Sequence, residues 1–561
     1  MKRFYLLFGA FISVVCVLLF ITYGNIFSLF YQQDEWLTLG KILSGGLKSY
    51  FDQYSFFQLF TGTGRPLSLI FQYPLYAFFP YETWPFAVFS IVFHGVNTVL
   101  VGLFAYVLSK KFFYGVLASI FFLSCSTSSQ AVTWFASNTQ ALPSTTFLLV
   151  SLIIALKAGH KKNIFLFIVA QVSAIVSFLF KESGAMAFIF VPFLYYWWPK
   201  NKTPTRNVIF QIGPLIFYGL LVLVSNIYRI TTALPTEATA FVSNSPSLWM
   251  KMFLHALLYP IISLSQLFIP QHIMFSLAKN FQAINYGHIN GFTESQLGVE
   301  TIVTDVVSLY VSLVIIFFCL LLMYKIGNIR KIMTFSLAFT ALNFLPFIIL
   351  EKGNSYLDSR YFYVSTVGAG LLVSAIFYAV KSLFEKKGRF ISYFSVVVMA
   401  LCFTGLIWKH TQYIQRDIQS SVISSRERKN FFSQLNSLVP SLPNKVVMYI
   451  TGNNFGYYGN PDLKIPMQQG PGYTFMTWYY RGGTIPKELI DSDFLWNIHA
   501  QGYREVGDRG FGYFWDKQKL IEAIRKHEIK PEYVVALFYD GDEKKLRNDS
   551  GLIQSELRQY Y

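Results

Sequence analysis

Residues 306–323 read VVSLYVSLVIIFFCLLLM and residues 6–23 read LLFGAFISVVCVLLFITY, and neither stretch carries an ionised side chain. Crossing the roughly 30 Å hydrocarbon core of a bilayer takes about 20 apolar residues in a helix. Comparable runs recur along the 561 residues, near 4–23, 86–108, 113–127, 141–156, 164–180, 185–198, 207–228, 304–324, 332–350, 361–380 and 391–408. The chain therefore reads as an all-α polytopic membrane domain of about eleven transmembrane helices, followed by a small α/β domain. Composition agrees: 13% of residues are charged, against about 25% in an ordinary soluble domain.

Lys2 and Arg3 precede the first run. No small-x-small cleavage site follows it, so it reads as an uncleaved first helix rather than a signal peptide. The four cysteines (Cys16, Cys125, Cys319, Cys402) all lie in apolar runs and imply no disulfide framework.

Charge sets the orientation. Connecting the spans alternately puts six segments on the N-terminal side, and these hold 17 of the 46 basic residues but one of the 29 acids. The remainder carries 29 basic and 28 acidic residues, so nearly all of the net +17 sits on one face. That is the positive-inside asymmetry. It predicts a multi-pass protein of the cell membrane with a cytoplasmic N-terminus and an extracytoplasmic C-terminal domain. It also accounts for the high pI without nucleic acid as a partner; the partner is the lipid bilayer.

The expected domains are 1–412, the multi-spanning membrane domain; 413–429, a linker helix; and 430–561, the α/β domain. Segment 252–270 is apolar but carries His255, Pro260 and Gln266, and reads as a re-entrant or interfacial helix. The extracytoplasmic loop 24–85 is aromatic and amphipathic (Trp36, Leu37, Ile42, Leu43, Phe56, Phe57, Phe60), which predicts a segment lying along the membrane surface. In the C-terminal domain 446–450, 511–515 and 533–539 read as strands. Asp516 reads as the N-cap of a helix 517–526. Its Tyr457, Tyr458, Trp478, Tyr479, Tyr480 and Trp496 have the chemistry for stacking on sugar rings or for an aromatic core.

Asp34-Glu35 stand past the first span, where adjacent carboxylates can serve as a general base or hold a divalent cation. No other cofactor is indicated. Arg65, in Gly64-Arg65-Pro66-Leu67, Lys181-Glu182, and Asp358 with Arg360-Tyr361 all fall on the same side as Asp34. Cations that hold a phosphate, with a carboxylate to take an acceptor proton, are what transfer from a lipid phosphate requires. His94 and Asn97, three residues apart in the second span, share a helical face and read as lining a cavity or joining helices.

Taken in order, Asp34-Glu35, Arg65-Pro66-Leu67, His94-x-x-Asn97, Ala131-Val132-Thr133-Trp134, Lys181-Glu182 and Arg360-Tyr361 resemble the membrane-embedded GT-C glycosyltransferases. The similarity is to the branch of the transmembrane and tetratricopeptide-repeat O-mannosyltransferases and their bacterial relatives, without the repeats, over residues 1–380. It implies a GT-C-like fold and a hexosyltransferase using a polyprenyl-phosphate-linked sugar, with inversion, on a protein, lipid or glycan acceptor. Asp34 would be the base, with Glu35 beside it. Arg65, Lys181 and Arg360 would bind the donor phosphate, and His94, Asn97, Trp134, Asn138, Glu182, Asp358 and Tyr361 would line the cavity. The match departs at Ser124–Gln130, where the family shows a His-Pro pair and a glutamate, and at Ser137–Gln140, where it shows a charged pair. The alternatives are a transporter or flippase of a lipid-linked sugar, which would place its site near mid-membrane, and a glycan polymerase or ligase, which would need similar cations.

Overall fold

The computed structural model describes residues 2–32, 34–51, 55–62, 64–199, 208–232, 246–286, 295–347, 359–385, 387–453, 464–467, 470–479, 487–497 and 500–561. Each of the eleven apolar segments is helical over at least part of its length. Among the described residues six helices are long and apolar enough to cross a membrane, or seven if one bent pair is a single span. Some of the others are short: Phe112–Ser124 has 13 residues, or about 20 Å of helix, and Ala187–Tyr196 has 10.

The bent pair is the predicted re-entrant segment. Met252–Phe268 and Gln271–Phe281 meet at 109°, with Pro270 at the break. A helix that ends inside an apolar region leaves carbonyls that need donors. The donors come from the turn 124–129 and the last long helix: Thr127 Oγ1 donates to Gln266 O at 2.5 Å. Cys125 Sγ reaches Leu267 O at 3.5 Å, and His410 Nε2 reaches Phe268 O at 3.3 Å. Ser126 Oγ bonds His410 Nδ1 at 2.8 Å and completes the clamp. Cys125, Ser126 and Thr127 thus support the broken helix.

The chain forms two compact units: residues 1–24, 56–69 and 88–417, and residues 25–55, 70–87 and 418–561. In the first, helices approach closely through small residues. A Cβ on Gly115 would lie 2.5 Å from Gly102 O, and one on Gly370 would lie 2.8 Å from Ala118 O, so the helices there touch backbone to backbone. Around them Phe317, Phe390, Phe394 and Leu401 are exposed, as lipid-facing residues would be.

The second unit contains a five-stranded sheet, with β1 (Lys445–Gly452), β2 (Gly502–Val506), β3 (Arg509–Phe514), β4 (Val534–Asp540) and β5 (Lys545–Asn548) in the order β2-β3-β1-β4-β5. The central β1 is parallel to β3 and β4, and the edge strands are antiparallel to theirs. Helix Lys517–His527 begins as predicted, with Asp516 accepting from the backbone N–H groups of Gln518 and Lys519. It buries Leu520 and Ile524 on the face of Val447 and Val534. The opposite face, with Tyr513 and Tyr539, meets Phe431 and Phe475. No separate linker helix exists: Arg389–Leu438 is one helix of 50 residues.

The aromatic loop differs from expectation. Helix Asp34–Phe51 buries Trp36, Leu39 and Ile42 within the second unit, where the Trp36 ring lies 5.1 Å from Phe432 and 6.2 Å from Trp478. Protein rather than lipid covers that apolar face. Phe56, Phe57 and Phe60 remain exposed, as a membrane-lying segment would be.

Candidate functional site

Within the helical unit the three candidate cations are drawn into one cluster. Arg65 stands in the left-handed region at φ 51°, ψ 61°, a conformation costing an ordinary residue about 1–2 kcal/mol. The turn is held from both sides: Arg65 N donates to Gly62 O at 3.0 Å, and Ser68 Oγ donates to Arg65 O at 2.7 Å. Strain so supported aims the side chain, and such outliers gather at functional sites.

The Arg65 guanidinium binds Glu182 through both carboxylate oxygens, Nε to Oε2 at 3.0 Å and Nη2 to Oε1 at 2.8 Å. Nη1 also donates to Gln140 Oε1. Both side chains are more than a third exposed. Burial raises the Glu182 carboxyl, but Arg65 and then Lys181 outweigh it and hold the group down at about 2. Glu182 is therefore anionic at any physiological pH and cancels one of the three cations.

Lys181 precedes Glu182 at an elbow between helices, where Ile164–Phe180 ends and a 3₁₀ turn, Glu182–Met186, begins. The elbow is tight: a Cβ on Gly184 would lie 2.6 Å from Ser177 C. Lys181 is 3% exposed, with Nζ 5.8 Å from the centre of the Tyr361 ring. Arg360 approaches the same ring at 5.0 Å and lies over the Trp134 ring at 4.0 Å, within the range of cation–π attraction. Gln130 fastens the two segments, its N–H donating to Ser359 Oγ at 3.1 Å and its Oε1 accepting from Arg360 N at 3.4 Å. Lys181 and Arg360 are the two cations of the cluster besides Arg65.

His94 and Asn97 are not part of it. Both are 0% exposed, and their polar atoms are spent inside the protein. His94 Nε2 bonds Leu123 O at 3.2 Å, which makes it the protonated nitrogen, and Nδ1 accepts from Tyr363 Oη at 2.8 Å. Asn97 Nδ2 donates to Tyr363 Oη at 3.2 Å and to Leu142 O at 3.0 Å. Thr146 Oγ1 donates to Asn97 Oδ1 at 2.7 Å. The pair read as cavity-lining is a node joining helices. Asn138 is likewise fully buried, against Ser90 Oγ. Asp358 lies outside the described residues.

Asp34 and Glu35 belong to the second compact unit and have different surroundings. Glu35 is 1% exposed and Oε2 accepts from Gln32 N at 3.1 Å, the reach-back of a capping glutamate. Burial, and then the charge of Glu35, raise the Tyr31 and Tyr76 phenols well above their ordinary value, so both stay neutral beside it. Asp34 opens the helix and is half-buried. It is the carboxylate of the pair open enough for a proton transfer. Among the described residues no three His, Cys, Asp or Glu side chains converge as metal ligands. Glu35 Oε2 is committed to a backbone N–H.

Of the aromatic residues expected to stack on sugars, Trp478 is 8% exposed and packs on Phe432 at 4.4 Å, so it serves the core. Tyr457, Tyr458, Tyr480 and the side chain of Trp496 lie outside the described residues. Gln130, Gln140, Ser126 and His410 escaped the sequence reading. Gln140 left a faint signal, since it stands six residues past Trp134 in the stretch where the family shows charge.

Compared with known proteins, the chain matches no protein-family model and no curated protein.

Proposed function

We propose that this chain is a membrane glycosyltransferase that moves a hexosyl group from a polyprenyl-phosphate donor to an extracytoplasmic acceptor hydroxyl, with inversion. One observation carries the reading: Lys181 and Arg360, 179 positions apart in sequence, meet over the Tyr361 ring beside a strained, clamped Arg65. Three cations gathered in a partly desolvated place are suited to an anionic phosphate.

In this reading Lys181, Arg360 and Arg65 hold the donor phosphate. Asp34 accepts the proton of the acceptor hydroxyl. The acceptor oxygen forms its bond to the anomeric carbon as the bond from that carbon to the phosphate oxygen breaks, and polyprenyl phosphate leaves with the electron pair. Phosphate is a good leaving group, so the second carboxylate a glycosidase needs is dispensable. The eleven apolar helices then build a GT-C-like membrane domain of the cell membrane. Its basic loops are cytoplasmic, and residues 430–561 lie outside, contributing acceptor binding.

The broken helix before Pro270 favours the rival reading, a transporter or flippase, because discontinuous helices there offer free backbone groups to a substrate. Here the carbonyls of Gln266, Leu267 and Phe268 are taken by Thr127, Cys125 and His410, which favours the enzyme.

The test is turnover by the purified protein in lipid vesicles with a labelled polyprenyl-phosphate hexose. Asp34→Asn keeps shape and polarity but accepts no proton, and should turn over about a hundredfold to ten-thousandfold more slowly with donor binding retained. Near-normal turnover by the folded variant would remove Asp34 from the chemistry. Movement of donor across the vesicle without transfer would establish the flippase.

A further inference from the structure

Beside the cations, two buried polar atoms lack a hydrogen-bond partner: Trp134 Nε1 and Ser137 Oγ. They sit at the start of helix Phe135–Lys161, for which Trp134 is the N-cap without a side-chain cap bond. Ser137 N donates to Trp134 O at 3.0 Å, so both belong to one turn. Ser137 is 5% exposed. Leaving a buried donor unpaired is costly, and it calls for an explanation. Unpaired hydroxyls recur elsewhere, at Ser124, Ser308 and Ser365, but among the described residues Trp134 has the one buried indole N–H without a partner. Its ring is also held under the Arg360 guanidinium at 4.0 Å, so the N–H cannot swing away to find another acceptor.

We infer that Trp134 Nε1 and Ser137 Oγ recognise hydroxyl groups of the donor's sugar, and so set which hexose is accepted. The inference rests on the glycosyltransferase reading. An indole N–H only donates, a serine hydroxyl donates or accepts, and the neighbouring guanidinium seeks anionic oxygen. A ligand that satisfies the indole N–H and the serine hydroxyl presents neutral hydroxyls, which the sugar of a glycosyl phosphate carries. A site built to bond a substrate hydroxyl discriminates strongly, because an analogue lacking it leaves the protein group unpaired.

The experiment measures binding of two lipids by the purified full chain in vesicles: a polyprenyl phosphate bearing mannose, glucose or galactose, and the same lipid phosphate bare. Trp134→Phe keeps a ring beneath Arg360 but has no N–H, and Ser137→Ala removes one hydroxyl. Each should weaken binding of the preferred glycosylated lipid about threefold to tenfold and leave the bare lipid unaffected. Ser137→Ala should also melt no lower than the parent, since it deletes an unpaired buried group, whereas loss of a structural bond would lower the melting temperature. Unchanged binding in both variants, or equal losses for glycosylated and bare lipid, would overturn the inference. If the parent binds neither lipid, the glycosyltransferase reading fails first and the inference falls with it.

Discussion

The His94–Asn97–Tyr363 network and the Arg65–Lys181–Arg360 cluster lie in the same helical unit and differ in what each leaves unspent. In the first, polar atoms bond one another from the imidazole of His94 to the hydroxyl of Thr146, and His94, Asn97 and Tyr363 are buried. In the second, Arg65 holds a strained backbone, the Arg65–Glu182 pair is more than a third open, and an indole N–H goes unpaired. Polar groups that satisfy one another inside an apolar environment specify helix packing. Polar groups that keep strain, exposure and unpaired donors are held ready for something else.

The largest effect expected from that difference is on donor binding. Arg360→Ala should weaken binding of a polyprenyl-phosphate sugar about tenfold to a hundredfold, the worth of a charge-assisted contact of about 1.5–3 kcal/mol. Thermal stability should hardly change. A calorimetric titration that gives parental affinity for this variant would move the phosphate site away from Arg360.

A smaller effect with the opposite signature is expected in the other network. Asn97→Leu removes one hydrogen bond each from Tyr363 Oη, Thr146 Oγ1 and Leu142 O and puts an apolar group against them, and should lower stability by about 1–3 kcal/mol while the folded fraction binds donor normally. Denaturation in detergent, together with binding, checks both halves. Lost affinity without lost stability would mean that the network had been assigned to the wrong class.

The smallest effect concerns Glu182. Its folded value of about 2 lies below the ordinary 4.5, so the ion pair contributes stability above pH 4.5 that is lost as pH falls through about 2. The pair is partly solvated, and its worth is under about 1 kcal/mol. Acid titration of the parent should show this loss between those values, and Glu182→Gln should not. Identical acid profiles would mean that Arg65 takes no net support from Glu182.

How far the sequence carried the account follows from the solvent each part meets. Apolar runs such as 306–323 are legible because hydrocarbon demands long uncharged helices. Strand β1 and the Asp516 cap are legible because burial and capping leave local patterns. Edge strands β2 and β5 escaped, since Gly502–Val506 and Lys545–Asn548 are polar where they face water. The docking of helix Asp34–Phe51 escaped because an amphipathic face looks the same whether lipid or protein covers it. Within the site, residue types at Arg65, Lys181 and Arg360 gave the cations away. Nothing local announced that Arg65 is shared by Gln140 and Glu182, 75 and 117 residues distant, or that Trp134 lies beneath Arg360.

The most direct test of the central claim is a density map of the purified protein in lipid, with a saturating polyprenyl-phosphate sugar whose transfer is blocked by Asp34→Asn. The account predicts phosphate density within about 3–4 Å of Lys181 Nζ or the Arg360 guanidinium, with the sugar beside Trp134. A bound donor whose phosphate lies against other residues, away from both cations, would contradict it.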